Sequence, residues 1–498
     1  MRGSAMRKPY FPVLLAVAMF AAAWQAPTDA QTAVDQMLPD LGEPADVALS
    51  PAQGIIIGKQ VVGEMYRYNY VVDDPELATY LDSVGWRLAR HGVALPPDFH
   101  FFPIADNGIN AFALPGANIG INVGTLVAAS DEDELAAVIA HEEAHVTQRH
   151  LARAANQSPI EGLATWAAII AAMIAAAGDP NAIIGGLMAG QSLSAQREIN
   201  YTRSHEMEAD RVGIHTLANA GYDPRAMASF FGRLQQQTRL YGNMPQLLLD
   251  HPVNTARMAE ATERAKEYPP VKPAYSIDFI LMRARGRVLE TDSPSDALKY
   301  FTAELDAGHD TPGNHYGLAM TLHSMAQNTQ ALAALQPLLK KWPGQRDVLL
   351  LQARILDGLG KNAEALAVNR KVLDANPNYT PAILRTASDL ITAGQPQQAR
   401  EILLGHNQSY GTAPQTWELL ARAALALHDQ GEAAFQMANY YEARENPRQA
   451  LDQIDAGLRL KQLSSDDRAR LRARRDALIA TIPRKALDQR RNGFTVSH

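Results

Sequence analysis

Residues 131–150 read DEDELAAVIAHEEAHVTQRH, and the fold of the whole chain is best read outward from them. His141, Glu142 and His145 stand in an H-E-x-x-H arrangement. On a helix, side chains four apart share a face, so two imidazoles converge on one point and Glu142 can reach a water held there. A zinc ion suits that point, because it takes imidazole ligands in tetrahedral geometry. Asp131 or Ser130 can cap the helix start, and the acids at 131–134 suit its positive end. Leu135, Val138 and Ile139 supply an apolar face for burial. The motif is short, and a surface helix with two solvated histidines satisfies it equally. Zinc still lacks a third protein ligand.

The chain has 498 residues, enough for two or three domains. Acids outnumber bases, 53 to 46, and a net charge of −7 gives no reason to expect a nucleic-acid partner. There are no cysteines, which excludes disulfides, thiolate metal sites, a thiol nucleophile and an acylated cysteine. Arg2, Arg7 and Lys8 precede the apolar run PVLLAVAMFAAAW at 12–24, followed by the small residues Thr28 and Ala30. That order predicts a secretory signal peptide over residues 1–30, cleaved after Ala30; an uncleaved anchor is the alternative. Export into a bacterial periplasm fits best.

A helix is expected from Ser50-Pro51, and a second over 76–92, capped at Gly92. FHFFPIAD at 99–106 alternates like a strand, and NAFALPGANIGINVGTLVAA at 110–129 holds two extended runs around the turn signal Pro115-Gly116. A hairpin or meander is therefore expected directly before the H-E-x-x-H helix. An extended peptide could add to its edge beside the metal, with Asn110–Leu114 and Ile119–Val123 as candidate edges. The segment at 160–190 is almost wholly apolar. It fits a buried hairpin over the site, a membrane-dipping element or a short anchor, and its glycines would allow a lid.

QREINYTRSHEMEADRVGIHTLANA at 196–220 reads as a helix stopping at Gly221. Glu206 and Asp210 share a face of it. Glu206 can be the missing third ligand, and Asp210 can receive the outward N–H of a ligating histidine. An exposed acidic face is the alternative. His251, before Pro252, can stabilise a developing oxyanion or occupy the open metal position, or can be a turn residue. His150 and His205 are read as surface residues or as residues behind the ligands.

Together, H-E-x-x-H at 141–145, E-x-x-x-D at 206–210, NAFALPG at 110–116 and H-P-x4-R at 251–257 resemble the M48 family of zinc metallopeptidases over residues 45–265. The resemblance implies one zinc ion on His141, His145 and Glu206, a gluzincin set, with Glu142 as general base; His251, from its place before Pro252, is expected as an auxiliary catalytic residue. It implies peptide hydrolysis.

Beyond YPPVKPAYS at 268–276, a Pro-rich linker, a 34-residue period runs through Ala297, Ala331, Ala365, Ala399 and Ala433. Ala319, Ala353, Ala387 and Ala421 repeat at the same spacing, and Pro343 and Pro377 close two units. Small residues at two points per period mark the close helix crossings of tetratricopeptide repeats, whose curved arrays bind peptides or proteins. Arg468, Arg470, Arg472, Arg474 and Arg475 make the last helix basic, read as a solvated capping face. The expected fold is thus mainly α. A metallopeptidase domain with a small β-sheet (31–267) precedes an α-solenoid of repeats (277–498). This architecture behind a signal peptide resembles the periplasmic, β-barrel assembly-enhancing branch of M48. That resemblance implies quality control of misfolded or stalled outer-membrane proteins, contact with the barrel assembly machinery through the repeats, and chaperone-like help. Peripheral membrane contact through 160–190 is also open. A repeat-based chaperone or adaptor with latent peptidase activity is the alternative reading.

Overall fold

The computed structural model describes residues 49–93, 97–157, 195–241, 244–271, 275–410 and 413–481. The signal peptide expected at 1–30 and the apolar segment at 160–190 lie outside the described residues. Among the described residues no helix is long and apolar enough to cross a membrane.

Helix α1 (Pro51–Arg67) begins as expected: Ser50 and Gln53 form a reciprocal capping box, with Pro51 in the first turn. Helix α2 (Pro75–Ala89) is capped by the Asp74 side chain. It ends on Arg90 in right-handed geometry, so Gly92 is not its cap. Successive 3-residue turns, His91 N to Leu88 O and Gly92 N to Ala89 O, finish the helix without a left-handed glycine.

Three strands follow: β1 (His100–Ile104), β2 (Ala111–Leu114) and β3 (Asn118–Asn122), in the order β1-β3-β2. The β2–β3 hairpin turns at Pro115-Gly116, where Gly116 (φ 75°) and Ala117 (φ 60°) take the left-handed geometry that matches strand twist. β1 pairs parallel with β3, so β3 is the central strand and is buried along its length. Ile119–Val123 therefore cannot offer a free edge. Among the described residues β2 keeps one unpaired side, which leaves Asn110–Leu114 as the only one of the two candidates with an open edge.

A short helix, α3 (Val123–Ala128), separates the hairpin from α4 (Glu132–Thr147), which carries the H-E-x-x-H residues. Asp131, rather than Ser130, caps α4: its side chain accepts from Glu134 N, while Glu134 Oε2 accepts from Ser130 N at 2.8 Å. The expected single apolar stripe is not what forms. Every residue from Asp133 to Ala144 is buried, because α2, β2, α6 (Ala195–Asn219) and α7 (Ala226–Tyr241) surround the helix. The alanines at 136, 137, 140 and 144 make this approach sterically open. Gly213 on α6 allows one such approach. A Cβ there would stand 3.3 Å from the Ala140 carbonyl oxygen, tighter than helices normally pack. After α5 (His150–Gln157), α6 and α7 come α8 (Gln246–Asp250) and α9 (Thr255–Ala265).

The remaining elements are helical pairs: α10 (Ile277–Glu290) with α11 (Pro294–Asp306), α12 (Pro312–Ser324) with α13 (Asn328–Lys341), α14 (Arg346–Gly358) with α15 (Asn362–Ala375), α16 (Thr380–Thr392) with α17 (Pro396–Tyr410), α18 (Pro414–Ala426) with α19 (Gln430–Ala443), and α20 (Pro447–Leu458) with α21 (Ser465–Thr481). All nine periodic alanines are buried at 5% exposure or less, as helices that cross too closely for larger side chains require. The α21 arginines stay at the surface, with side chains of Arg470, Arg474 and Arg475 37–42% exposed and Arg472 exposed, but three of them are ion-paired. Arg474 meets Glu442 at 2.5 Å, Arg475 meets Asp455 at 2.7 Å, and Arg470 pairs with Glu432. The paired acids lie on the two preceding helices.

The array folds back onto the first helices. Arg285 of α10 contacts Asp74 and Glu76 of α2, Arg354 of α14 reaches Glu76 at 2.6 Å, and Arg444 donates to Tyr66 O at 3.3 Å. One continuous apolar cluster runs from Leu77 through α4 and α7 to Ile355.

Candidate metal centre

Helices α4 and α6 pack side by side, and their register brings His141 and His145 opposite Glu206 and Asp210. His141 Nε2 lies 3.1 Å from His145 Nε2 and 3.4 Å from Glu206 Oε2. Glu206 Oε1 is 3.4 Å from His145 Nε2. The turn after α8 adds His251, whose Nδ1 is 3.1 Å from Glu206 Oε1 and 3.3 Å from His141 Nε2. One ligand atom from each of His141, His145, Glu206 and His251 falls within 4.8 Å of the others. Two or three imidazole nitrogens and a carboxylate are the donor set that zinc favours, so these residues fit a divalent cation.

Glu142 points toward the same space. It is 1% exposed, its Oε1 makes no hydrogen bond, and His251 Nε2 stands 3.4 Å from it. Burial raises its pKa against the pull of His251 and His141. A buried carboxylate with that spare acceptor is suited to take a proton from a water beside it.

The nitrogens facing away from the cluster are also held. His141 Nδ1 lies 3.1 Å from Asp210 Oδ1, the placement expected from the sequence. Arg257, at the start of α9, grips Asp210 with Nε at 2.7 Å and Nη2 at 2.8 Å, and contacts Glu206 Oε2 through Nη1 at 2.9 Å. It also donates to Pro252 O at 2.9 Å, tying the turn that carries His251 to α6. Arg257 is 2% exposed. The sequence showed it only as the end of H-P-x4-R; that a lone arginine follows a histidine-proline turn was the available signal. His150 and His205 are buried rather than on the surface, at 4% and 5% exposure.

Electrostatics split the cluster. Burial resists a charge on His141, but Asp210 and Glu206 outweigh it and raise its pKa. Burial drives His145 well below its usual range. Burial opposes the charge on Glu206 too, yet His251, His141 and His145 hold its carboxyl well below the ordinary value. Positive charge is thus called for at the point where these groups meet. Strand β2 packs on α4. The α8 turn is pinned to the strand's start by Leu247 N donating to Ile109 O at 3.0 Å and Asn110 Nδ2 to Asp250 Oδ2 at 3.0 Å.

The sequence pattern of "Peptidase family M48" matches residues 75–265. The "Beta-barrel assembly-enhancing protease" of Escherichia coli is 32% identical over 89% of this chain and 91% of its own length. The protein of the same name from Yersinia pestis is 32% identical over 91% of this chain and 94% of its own. A solved thermophilic TPR protein of Thermus thermophilus overlaps 38% of this chain at 20% identity and a TM-score of 0.26, too low to bear on the fold.

Proposed function

The chain belongs to peptidase family M48, whose members are zinc-dependent peptidases, and from that premise we propose that His141, His145 and Glu206 bind one zinc ion and that Glu142 is the general base. The observation that carries this is the convergence of those donors, with His251, within 4.8 Å. Zinc, when bound, supplies Lewis acidity toward the scissile carbonyl and lowers the pKa of water beside it. The chain's own residues do the rest. Asp210 and Arg257 hold His141 and Glu206 in place. Glu142 takes the proton of the attacking water and returns it to the leaving amine. The open edge of β2 at Asn110–Leu114 receives the substrate in extended form, through backbone hydrogen bonds that do not depend on its sequence.

The biological reading is a periplasmic endopeptidase in quality control of outer-membrane proteins. Its substrates are misfolded or stalled barrels, and its repeats contact the assembly machinery and lend chaperone-like help. The names of the relatives, and matches that cover 89% and 91% of this chain, support it. The division into a peptidase unit over 31–267 and a repeat unit over 277–498 is part of this proposal.

One observation favours the adaptor alternative with latent activity. His251 stands within ligand distance of the cluster, so it can fill the fourth metal position and hold the site closed until substrate displaces it. Oxyanion stabilisation by the same residue requires it to move aside. A pull-down from envelope extract with Glu142→Gln tests the whole reading. Unfolded outer-membrane proteins and assembly components should be captured together. If deletion of 277–498 abolished cellular function while Glu142→Gln did not, the adaptor reading would replace it.

A further inference from the structure

The two histidines of α4 are held from behind in different ways, and the second way assigns a role to residues outside the motif. We propose that His150 is a positioning residue for His145: it accepts the proton on His145 Nδ1 and so fixes that ring with Nε2 free for the metal. Glu208 and Arg153 fix His150 in turn. This rests on the reading of His145 as a zinc ligand and deepens it.

His145 turns Nε2 toward His141 and Glu206, at 3.1 and 3.4 Å. Its other nitrogen, Nδ1, lies 2.9 Å from His150 Nδ1, with the rings nearly perpendicular at 80°. Two nitrogens at that distance require one donor and one acceptor. A histidine that ligates through Nε2 carries its proton on Nδ1, so His145 is the donor and His150 Nδ1 the acceptor. The proton of His150 is then on Nε2, and that atom lies 3.3 Å from Glu208 Oε2. The same carboxylate oxygen accepts from Arg153 Nη1 at 2.9 Å. A consistent chain results: Arg153 holds Glu208, Glu208 accepts from His150, and His150 accepts from His145.

The His150 ring is also set mechanically. It stacks on His205 with centroids 4.2 Å apart and planes 7° from parallel. His205 directly precedes Glu206, so the stretch His205–Asp210 supplies a ligand candidate, the support behind His141 and two supports behind His150. Arg149, at φ 56°, makes the sharp turn that brings α5 back so that His150 faces α4. His141 leans directly on an anion, Asp210. Behind its ring, through Nδ1, His145 reaches an anion by way of a neutral imidazole. Removing such partners of a ligating histidine typically costs about 10- to 100-fold in metal affinity.

The test is the zinc dissociation constant of the purified full-length chain, measured by competition with a chromophoric chelator, for three variants. His150→Phe keeps the ring and its stacking but has no acceptor, and should weaken zinc binding by about 10- to 100-fold. His150→Asn places a carbonyl oxygen near the lost Nδ1 and should stay within about threefold of the parent, because the acceptor is restored. Glu208→Ala, at a part-exposed position, should fall between them. Melting of the zinc-free proteins controls for folding. Parental affinity in His150→Phe overturns the proposal, and so does an equal loss in His150→Asn, which would mark a packing role only. His145→Ala is run beside them. Parental zinc affinity in that variant would sink the metal-site reading itself, and this proposal with it.

Discussion

Arg285 and His141 are both buried among carboxylates, but the two clusters are built in opposite senses. Around Arg285 the charges close on one another. Its guanidinium meets Asp74 at 2.7 Å, Glu76 at 2.9 Å and the Tyr316 hydroxyl at 3.1 Å, and Arg354 covers the other oxygen of Glu76. Around His141 four ligand atoms aim at a common point instead. Glu76 Oε1 and Glu142 Oε1 both lack a hydrogen bond, but Glu76 Oε1 faces Arg354 Nη1 at 2.6 Å, whereas the nearest cation to Glu142 Oε1 among the described residues is His251 Nε2 at 3.4 Å. A closed cluster ties the repeats to α2 and has no capacity for a ligand. The other brings four ligand atoms within 4.8 Å of one another, the grouping a cation requires. Burial of charge alone therefore does not mark a site; the convergence of metal-ligating atoms does.

The largest expected effect lies in the open cluster. Glu142→Gln should keep zinc and fold and lose at least about a hundredfold in peptide cleavage, the lower range of general-base catalysis. A peptidase assay with metal analysis checks it; full activity in that variant would refute the assignment. The closed cluster should respond in stability alone. Arg285→Met leaves Asp74 buried without its partner and Glu76 with one partner fewer, and should cost about 3–5 kcal/mol of stability. Thermal or urea unfolding reads that loss, with zinc content per chain unchanged. Loss of zinc in Arg285→Met would erase the distinction between the clusters.

A smaller, pH-dependent effect belongs to Glu76. Burial opposes its charge, but Arg285 and Arg354 outweigh it and lower its pKa from 4.5 to about 2. The folded state therefore binds the proton less tightly than the unfolded chain. This contribution, about 3 kcal/mol, is present above pH 4.5 and fades as pH falls toward 2. Acid unfolding of Glu76→Gln should start from a lower plateau and show a shallower slope across that window. An unchanged slope would remove the carboxylate from the account.

How much of this was legible in the sequence follows from the range of each signal. The repeats were readable because helix crossings recur and demand a small residue each time, so Ala331 and Ala365 mark them without any knowledge of the fold. His141, Glu142 and His145 were readable because one helical turn fixes their geometry, and Glu206 with Asp210 for the same reason. The central place of β3 was not, since it depends on β1 pairing parallel across the sheet. Nor was the all-round burial of α4, although its run of alanines hinted that other helices come close. The clamp of Arg257 on Asp210 and the bond from Arg285 to Asp74 join residues far apart in the chain, and a lone arginine gives no local sign of its partner. The ion pairs of the α21 arginines were not legible for a related reason: a run of like charge gives no sign of the acids that face it.

The most direct test of the central claim is zinc content per chain in the parent, Glu142→Gln and Glu206→Ala, measured on the same preparations as peptide cleavage. One zinc per chain is expected in the parent and in Glu142→Gln, with cleavage only in the parent. Glu206→Ala should hold little or none. Stoichiometric, tightly held zinc in Glu206→Ala would contradict the account, because the α6 carboxylate would then not be the ligand that completes the H-E-x-x-H pair.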